Sequence, residues 1–251
     1  MHTDFTGKPE ETSKIMVTKE QLEKEFKEAG IVGAVAHTTV DGEGYDPALK
    51  RLGIIHCGGV RKKVDEARLE KGLKDGRYKC VKIYLGYEYQ YAYDKGYESV
   101  YRLAKKYGVP VVFHTGDTYD PKGKLKFAEP MAIDEVAVDH PDVTFVIAHC
   151  GNPWIQTAAE IAYKNPNVYL ECSALLIGDM TEQGEEALQE NMIKPIHWIF
   201  NYIEDPKKLM FGTDWPLVSV KQYLEVYKLA IPEEHWPAVF YENAKRVFKI
   251  P

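Results

Sequence analysis

Val143-Thr144-Phe145-Val146-Ile147-Ala148-His149-Cys150-Gly151 is the stretch on which the fold turns. A short run rich in β-branched and aromatic residues reads as a strand. Its apolar residues follow one another without alternation, so both faces are expected to be covered, as in a parallel sheet packed between helices. The run stops at a histidine, with glycine two residues beyond. Val109-Pro110-Val111-Val112-Phe113-His114-Thr115-Gly116 repeats the pattern.

Outward from these runs, strand-like and helix-like stretches alternate. Upstream, a helix over Thr18–Ala29 is closed by Gly30 and leads into a strand at Ile31–His37. Strands follow at Leu52–Cys57 and Cys80–Leu85, with helices near Lys62–Lys74 and Asp94–Tyr107. Downstream, helices near Met131–Asp139 and Ile155–Tyr163 bracket the His149 strand. Strands at Asn167–Cys172 and Lys208–Gly212 come next. Helices near Glu185–Tyr202, Val220–Ala230 and Glu233–Phe248 complete the chain. Such alternation predicts right-handed crossovers and a parallel sheet. An open doubly wound sheet is the rival. Seven strands plus a stub at Met1–Phe5 fit a closed (β/α)₈ barrel better, the first strand being truncated. No low-complexity linker interrupts residues 1–251, which predicts one domain, and no phosphate-cradling glycine motif is present.

Composition narrows the function classes. The 251 residues are 45% hydrophobic, enough for a sizeable core. A net charge of −6, with Lys and Arg dispersed, gives no electrostatic reason to bind nucleic acid or an anionic membrane. No apolar run spans a bilayer, and Met1–Glu11 carries no apolar signal core. The four cysteines, Cys57, Cys80, Cys150 and Cys172, form no C-x-x-C pair. They are expected to be buried free thiols in a cytoplasmic protein.

Strand ends carry the chemistry. His114 and His149 end two strands, Glu171 nearly ends another, and Asp214 lies just past the last. In a barrel these ends converge on one mouth, where barrel enzymes place their reactive groups. One such histidine is ordinary; two with an aspartate at equivalent positions predict a site. His56 and His37 also lie at strand ends and are not expected as ligands. His140, His197 and His235 are expected to be packing or surface residues. Tyr84, Tyr87, Tyr89, Tyr91 and Tyr93 form a loop that either folds over a planar substrate or packs on its own rings. Trp154 and Trp215 either wall the pocket or fill space.

With these residues in place, the chain resembles the amidohydrolase superfamily, in the amidohydrolase-related branch that includes aminocarboxymuconate semialdehyde decarboxylase. The matching stretches are Val81-Lys82-Ile83, Gly108–Gly116, Val146–Gly151, Asn165–Ser173, Leu209–Pro216 and Glu242–Phe248, in the family's order. The resemblance implies a metal-dependent hydrolase or a non-oxidative decarboxylase. It implies His114 as a metal ligand, His149 as ligand or polarising group, and Asp214 as ligand and base. The family's first strand carries H-x-H, two further ligands. Here Met1-His2-Thr3-Asp4-Phe5 stands in that place, so His2 matches and Asp4 replaces the second histidine. Either the start lies further upstream or the barrel begins with a stub.

The implied metal set is therefore His2, Asp4, His114 and Asp214, holding one divalent ion, Zn²⁺ or, given the added carboxylate, Mn²⁺. Asp214 and His149 are the expected catalytic pair. Glu171, Trp154, Trp215 and Tyr84 are expected to bind substrate or orient ligands. Lys82 occupies the place where some superfamily members bridge two metals through a carboxylated lysine; one metal is expected here. The substrate is a small molecule, attacked by water at an amide, ester or lactone carbonyl. Alternatives are a decarboxylase of a small aromatic or unsaturated acid, a metal-free acid–base hydrolase, and an inactive barrel acting as a binding protein. A homodimer is the default assembly.

Overall fold

Alternation along the strands organises the molecule. The computed structural model describes residues 1–250. Its strands are β1 (Ala34–His37), β2 (Ile54–Val60), β3 (Cys80–Tyr84), β4 (Val111–His114), β5 (Phe145–Ala148), β6 (Val168–Glu171) and β7 (Leu209–Met210). They form one sheet in sequence order, every neighbouring pair parallel. The expected stub joins the two edges. His2 N–H donates to Trp215 O at 2.9 Å, and His37 N–H donates to Met1 O at 2.9 Å. His2 thereby bridges His37 in parallel register, beyond the end of β7. This is a TIM-type barrel whose eighth position is held by a few residues only.

Residues of one parity point inward. Cys57, Cys80, Val112, Val146 and Met210 form the barrel's inner core with Val35, Ile55 and Tyr169. Residues of the other parity, among them Val81, Ile83, Val111, Phe113, Phe145 and Ile147, pack against the surrounding helices. On the seam side, helix α1 (Lys19–Ala29) packs on the later helix Val220–Lys228. Thr18 caps α1 by accepting from Gln21 N–H, and Gly30 ends it at φ 68°. Leu22, Phe26, Ile54, Trp215 and Val220 fill the space between.

Three helices depart from the sequence reading, the closing Glu233–Phe248 helix among them, with a π-helical stretch at Ala238–Glu242. The Lys62–Lys74 helix starts only at Glu66, where Asp65 caps it by accepting from Arg68 N–H. The long helix near Glu185–Tyr202 contains a π-helical stretch, Gln189–Ile193.

The free-thiol expectation is corrected. Cys57 pairs with Cys80, and Cys150 with Cys172, as disulfides. Cys57 and Cys80 are register partners on β2 and β3, while Cys150 and Cys172 follow β5 and β6. Each pair is separated by one strand–helix–strand unit, so adjacency arises from the sheet and leaves no local spacing motif. The inference of a reducing compartment rested on free thiols and loses that support. No helix among the described residues is long and apolar enough to cross a membrane.

Candidate active site

The strand ends deliver their side chains to one mouth. His114 ends β4, His149 follows β5, Glu171 ends β6 with Ser173 two residues on, and Asp214 follows β7. His2 lies on the stub, His37 ends β1, and Lys82 and Tyr84 lie on β3. The backbone here is unusual. His149, Cys150, Ala174 and Asp214 all have positive φ, at 59°, 46°, 50° and 57°. Left-handed conformations of this kind cost about 1–3 kcal/mol each in non-glycine residues and concentrate at functional sites. Glycine is required close by. At Gly116, φ 80°, a Cβ would collide with Asn152 O, and at Gly212 it would collide with Glu171 Oε1.

A hydrogen-bonded chain crosses β4, β5 and β6. Glu171 Oε2 lies 3.0 Å from Ser173 Oγ, which lies 2.9 Å from His149 Nδ1. His149 Nε2 lies 3.2 Å from His114 Nδ1, and His114 Nε2 lies 3.0 Å from Asp117 O. Tyr84 stacks on His114 at 6.3 Å between ring centroids, and Tyr87 tilts against it at 5.0 Å. Tyr84 O–H donates to Thr38 O at 2.9 Å, which fixes that ring.

Across the mouth, contacts are sparser. His2 Nε2 lies 3.5 Å from Asp214 Oδ1, and the Met1 amino group lies 3.9 Å from the same oxygen. His37 Nδ1 and Glu171 Oε1 are buried without hydrogen-bond partners. Lys82 is 2% exposed, its ammonium 5.6 Å from the Tyr84 ring.

Burial governs the electrostatics. It pushes the His2, His37 and His114 imidazoles below their usual range and His149 down to about 4. All four are therefore neutral at physiological pH. Burial also pushes Asp214 upward, but nearby His2, His149, the Met1 amine and Lys82 outweigh it and hold the carboxyl below the carboxylate range. Lys82 is lowered to about 8 by burial, against the pull of Asp214 and Glu171. Glu171 is raised, chiefly by burial.

Of the residues expected from sequence, His2, His114, His149, Glu171, Asp214 and Tyr84 meet at the mouth. Asp4 lies exposed at its rim. Trp215 is elsewhere. It is fully buried beside α1, with its indole N–H donating to Glu25 Oε1 at 3.2 Å. Asp214 and Trp215 are adjacent in sequence but diverge, Asp214 toward His2 at the mouth and Trp215 into the cluster beside α1. Trp154 is half-buried just before the helix Ile155–Lys164. His56 has the outward parity of β2 and packs on Tyr45 at 4.9 Å. Tyr89, Tyr91 and Tyr93 leave the site, two of them packing on Phe127.

Ser173 is the residue the sequence reading missed. Ser173 shares the inward parity of Tyr169 and Glu171, which was the available signal. Tyr87 lies in a helical turn, Leu85–Glu88, where a loop was expected.

The donor set suits a divalent ion: neutral imidazoles and an ionised carboxylate, with an exposed carboxylate nearby. Among the described residues, however, no three such side chains already close around one point. His114 instead turns Nε2 to the Asp117 carbonyl.

Comparison with known proteins agrees with this fold. An uncharacterised TIM-barrel protein from Bordetella bronchiseptica superposes with a TM-score of 0.73 at 22% identity, covering 93% of this chain and 83% of that one. A probable 2-pyrone-4,6-dicarboxylic acid hydrolase from Acinetobacter baumannii, with citric acid bound, gives 0.69 at 13%, covering 93% and 90%. A 5-carboxyvanillate decarboxylase from Novosphingobium aromaticivorans, complexed with manganese and a nitrobenzoic acid, gives 0.67 at 14%, covering 94% and 81%. No curated protein matches the sequence. The family described as Amidohydrolase matches residues 17–250, and the chain belongs to that family.

Proposed function

We propose that this chain is a metal-dependent hydrolase that directs water onto the amide, ester or lactone carbonyl of a small molecule. The observation carrying this reading is the pairing at one mouth of an ionised, buried Asp214 with neutral His2, His114 and His149. His2, His114 and Asp214, with Asp4 at the rim, would hold one Zn²⁺ or Mn²⁺, which supplies Lewis-acid polarisation when bound. Asp214, ionised and lacking a close hydrogen-bond donor of its own, accepts the proton of the attacking water. His149 donates a hydrogen bond to the substrate oxygen on which charge develops. Tyr84 and Tyr87, packed on His114, supply an apolar wall with polar tips.

Those two rings also favour a second reading, decarboxylation of a planar aromatic or unsaturated acid. His149, which carries a ring proton, would then protonate the carbon that loses CO₂. A panel of esters, lactones and amides, run beside CO₂ release from aromatic acids with Zn²⁺ or Mn²⁺ added, separates the two. Ion-dependent hydrolysis lost in Asp214→Ala supports the first reading. CO₂ release without hydrolysis supports the second. Turnover that survives in Asp214→Ala defeats both.

A further inference from the structure

Glu25 is out of place on its own helix. Leu22, Glu25 and Phe26 form the buried face of α1, and Glu25 is only 4% exposed. An apolar side chain would be buried there at less cost than a carboxyl group. Its two oxygens are nevertheless fully engaged. Oε1 accepts from the Trp215 indole N–H at 3.2 Å and from Gln21 Nε2 at 3.1 Å, and Oε2 accepts from Val220 N–H at 2.7 Å. All three donors are neutral, so the carboxyl group is a bridge between elements and not half of an ion pair.

Two of those partners bracket the turn that carries Asp214. Residues 214–220 lead from beyond β7 into the helix Val220–Lys228, and Glu25 holds that run at Trp215 and at Val220. Within it, Leu217 N–H donates to Asp214 O at 3.0 Å. Trp215 also carries the stub, because its carbonyl oxygen accepts from His2 N–H at 2.9 Å. Asp214 is therefore joined to Trp215 by a peptide bond and His2 by a hydrogen bond, and their side chains meet at 3.5 Å. Both hang from one residue, whose ring is fixed from outside the barrel. Capping of the helix through Val220 N–H would be the simpler account of Glu25. It leaves the bond from the other oxygen to the indole unexplained.

We propose that Glu25 is a positioning residue for the seam: it fixes Trp215 and, through Trp215, the spacing of His2 and Asp214. This rests on the reading of those two side chains as metal ligands. Glu25 itself touches neither ion nor substrate. Groups one step behind the ligands orient them, and losing one typically weakens metal binding about 10–100-fold.

Mn²⁺ affinity, measured by titration calorimetry on the full chain, tests the link in four proteins: the parent, Glu25→Ala, Trp215→Phe and Leu103→Ala. Trp215→Phe keeps an aromatic ring and removes the indole donor, so it answers even where Glu25→Ala does not fold. Leu103, fully buried on the helix Glu98–Tyr107, belongs to the main core and not to the cluster around Trp215. Glu25→Ala and Trp215→Phe should raise Kd about 10–100-fold. Leu103→Ala, destabilised by a cavity of its own, should stay within about twofold of the parent. Hydrogen exchange at the His2 backbone N–H, read by ¹⁵N-histidine NMR on metal-free protein, is the second readout. It should quicken about tenfold or more in the two seam variants and not in Leu103→Ala. An unchanged Kd in Trp215→Phe, or an equal loss in Leu103→Ala, overturns the positioning role. If the parent binds no Mn²⁺, the ligand reading fails, and His2 exchange alone decides the link from Glu25 to the stub. Faster exchange in the seam variants then upholds that link, and unchanged exchange overturns it.

Discussion

The two sides of the barrel mouth are built differently. On the side of β4, β5 and β6, each polar group is tied to the next, from Glu171 through Ser173 and His149 to His114. On the seam side, a two-residue strand and the stub bring His2 and the Met1 amine to Asp214, at 3.5 and 3.9 Å, with Asp4 exposed at the rim. The first half is already organised to hold and orient protons. The second presents donors whose hydrogen-bonding capacity is largely unspent, as a ligand-binding half should. The contrast teaches that one mouth divides its work: pre-organisation where protons move, open valence where an ion and substrate arrive.

The largest expected effect probes the seam. Asp214→Ala should lower turnover by at least about 10²–10³-fold, the scale for removing a group that acts on developing charge. Circular dichroism should show the fold retained. A variant that keeps most of its turnover would erase the distinction between the two halves.

Next comes what holds the seam in place. Trp215 is fully buried next to Asp214, so Trp215→Ala should cost about 3–5 kcal/mol in urea unfolding. Leu22→Ala, in the same cluster, should cost about 2–5 kcal/mol. Losses below about 1 kcal/mol at both sites would show that this cluster does not support the seam.

The knitted half predicts an acid response. In the metal-free protein His149 takes a proton only near pH 4, whereas the unfolded imidazole takes one near 6.5. Between these values the unfolded chain binds more protons, so stability falls as pH drops from 6.5 toward 4. Each such imidazole contributes up to about 1.4 kcal/mol per pH unit. A urea midpoint that stays level across this window would contradict the burial assigned to these imidazoles. The smallest effect is expected at the rim. Asp4→Ala should weaken metal affinity by no more than about tenfold, because that carboxylate stands exposed. A complete loss of metal there would make Asp4 a principal ligand.

Much of this was legible because strands alternate strictly. Continuous apolar runs ending in His114 and His149 predicted parallel strands, and parallel strands placed their ends together. The same parity separates His56, which faces the helices, from His37, which faces inward. The seam was harder to read. β7 holds two residues, and its closing partner is a stub without an apolar run, so neither announces itself. Trp215 was misjudged as a possible pocket wall because proximity to Asp214 in sequence concealed its opposite direction. Ser173 acts only through a partner on another strand, and the disulfides join cysteines that the sheet alone makes neighbours. Such pairings depend on register, which local composition does not encode.

The most direct test of the central claim is metal stoichiometry. Full-length protein, loaded with Zn²⁺ or Mn²⁺ and desalted, would be compared with His114→Ala, Asp214→Ala and His56→Ala by mass spectrometry of the elements. About one equivalent should remain in the parent and in His56→Ala, and should be lost in the other two. Equal metal content in all four, or none in the parent, would contradict a metal-dependent site at this mouth.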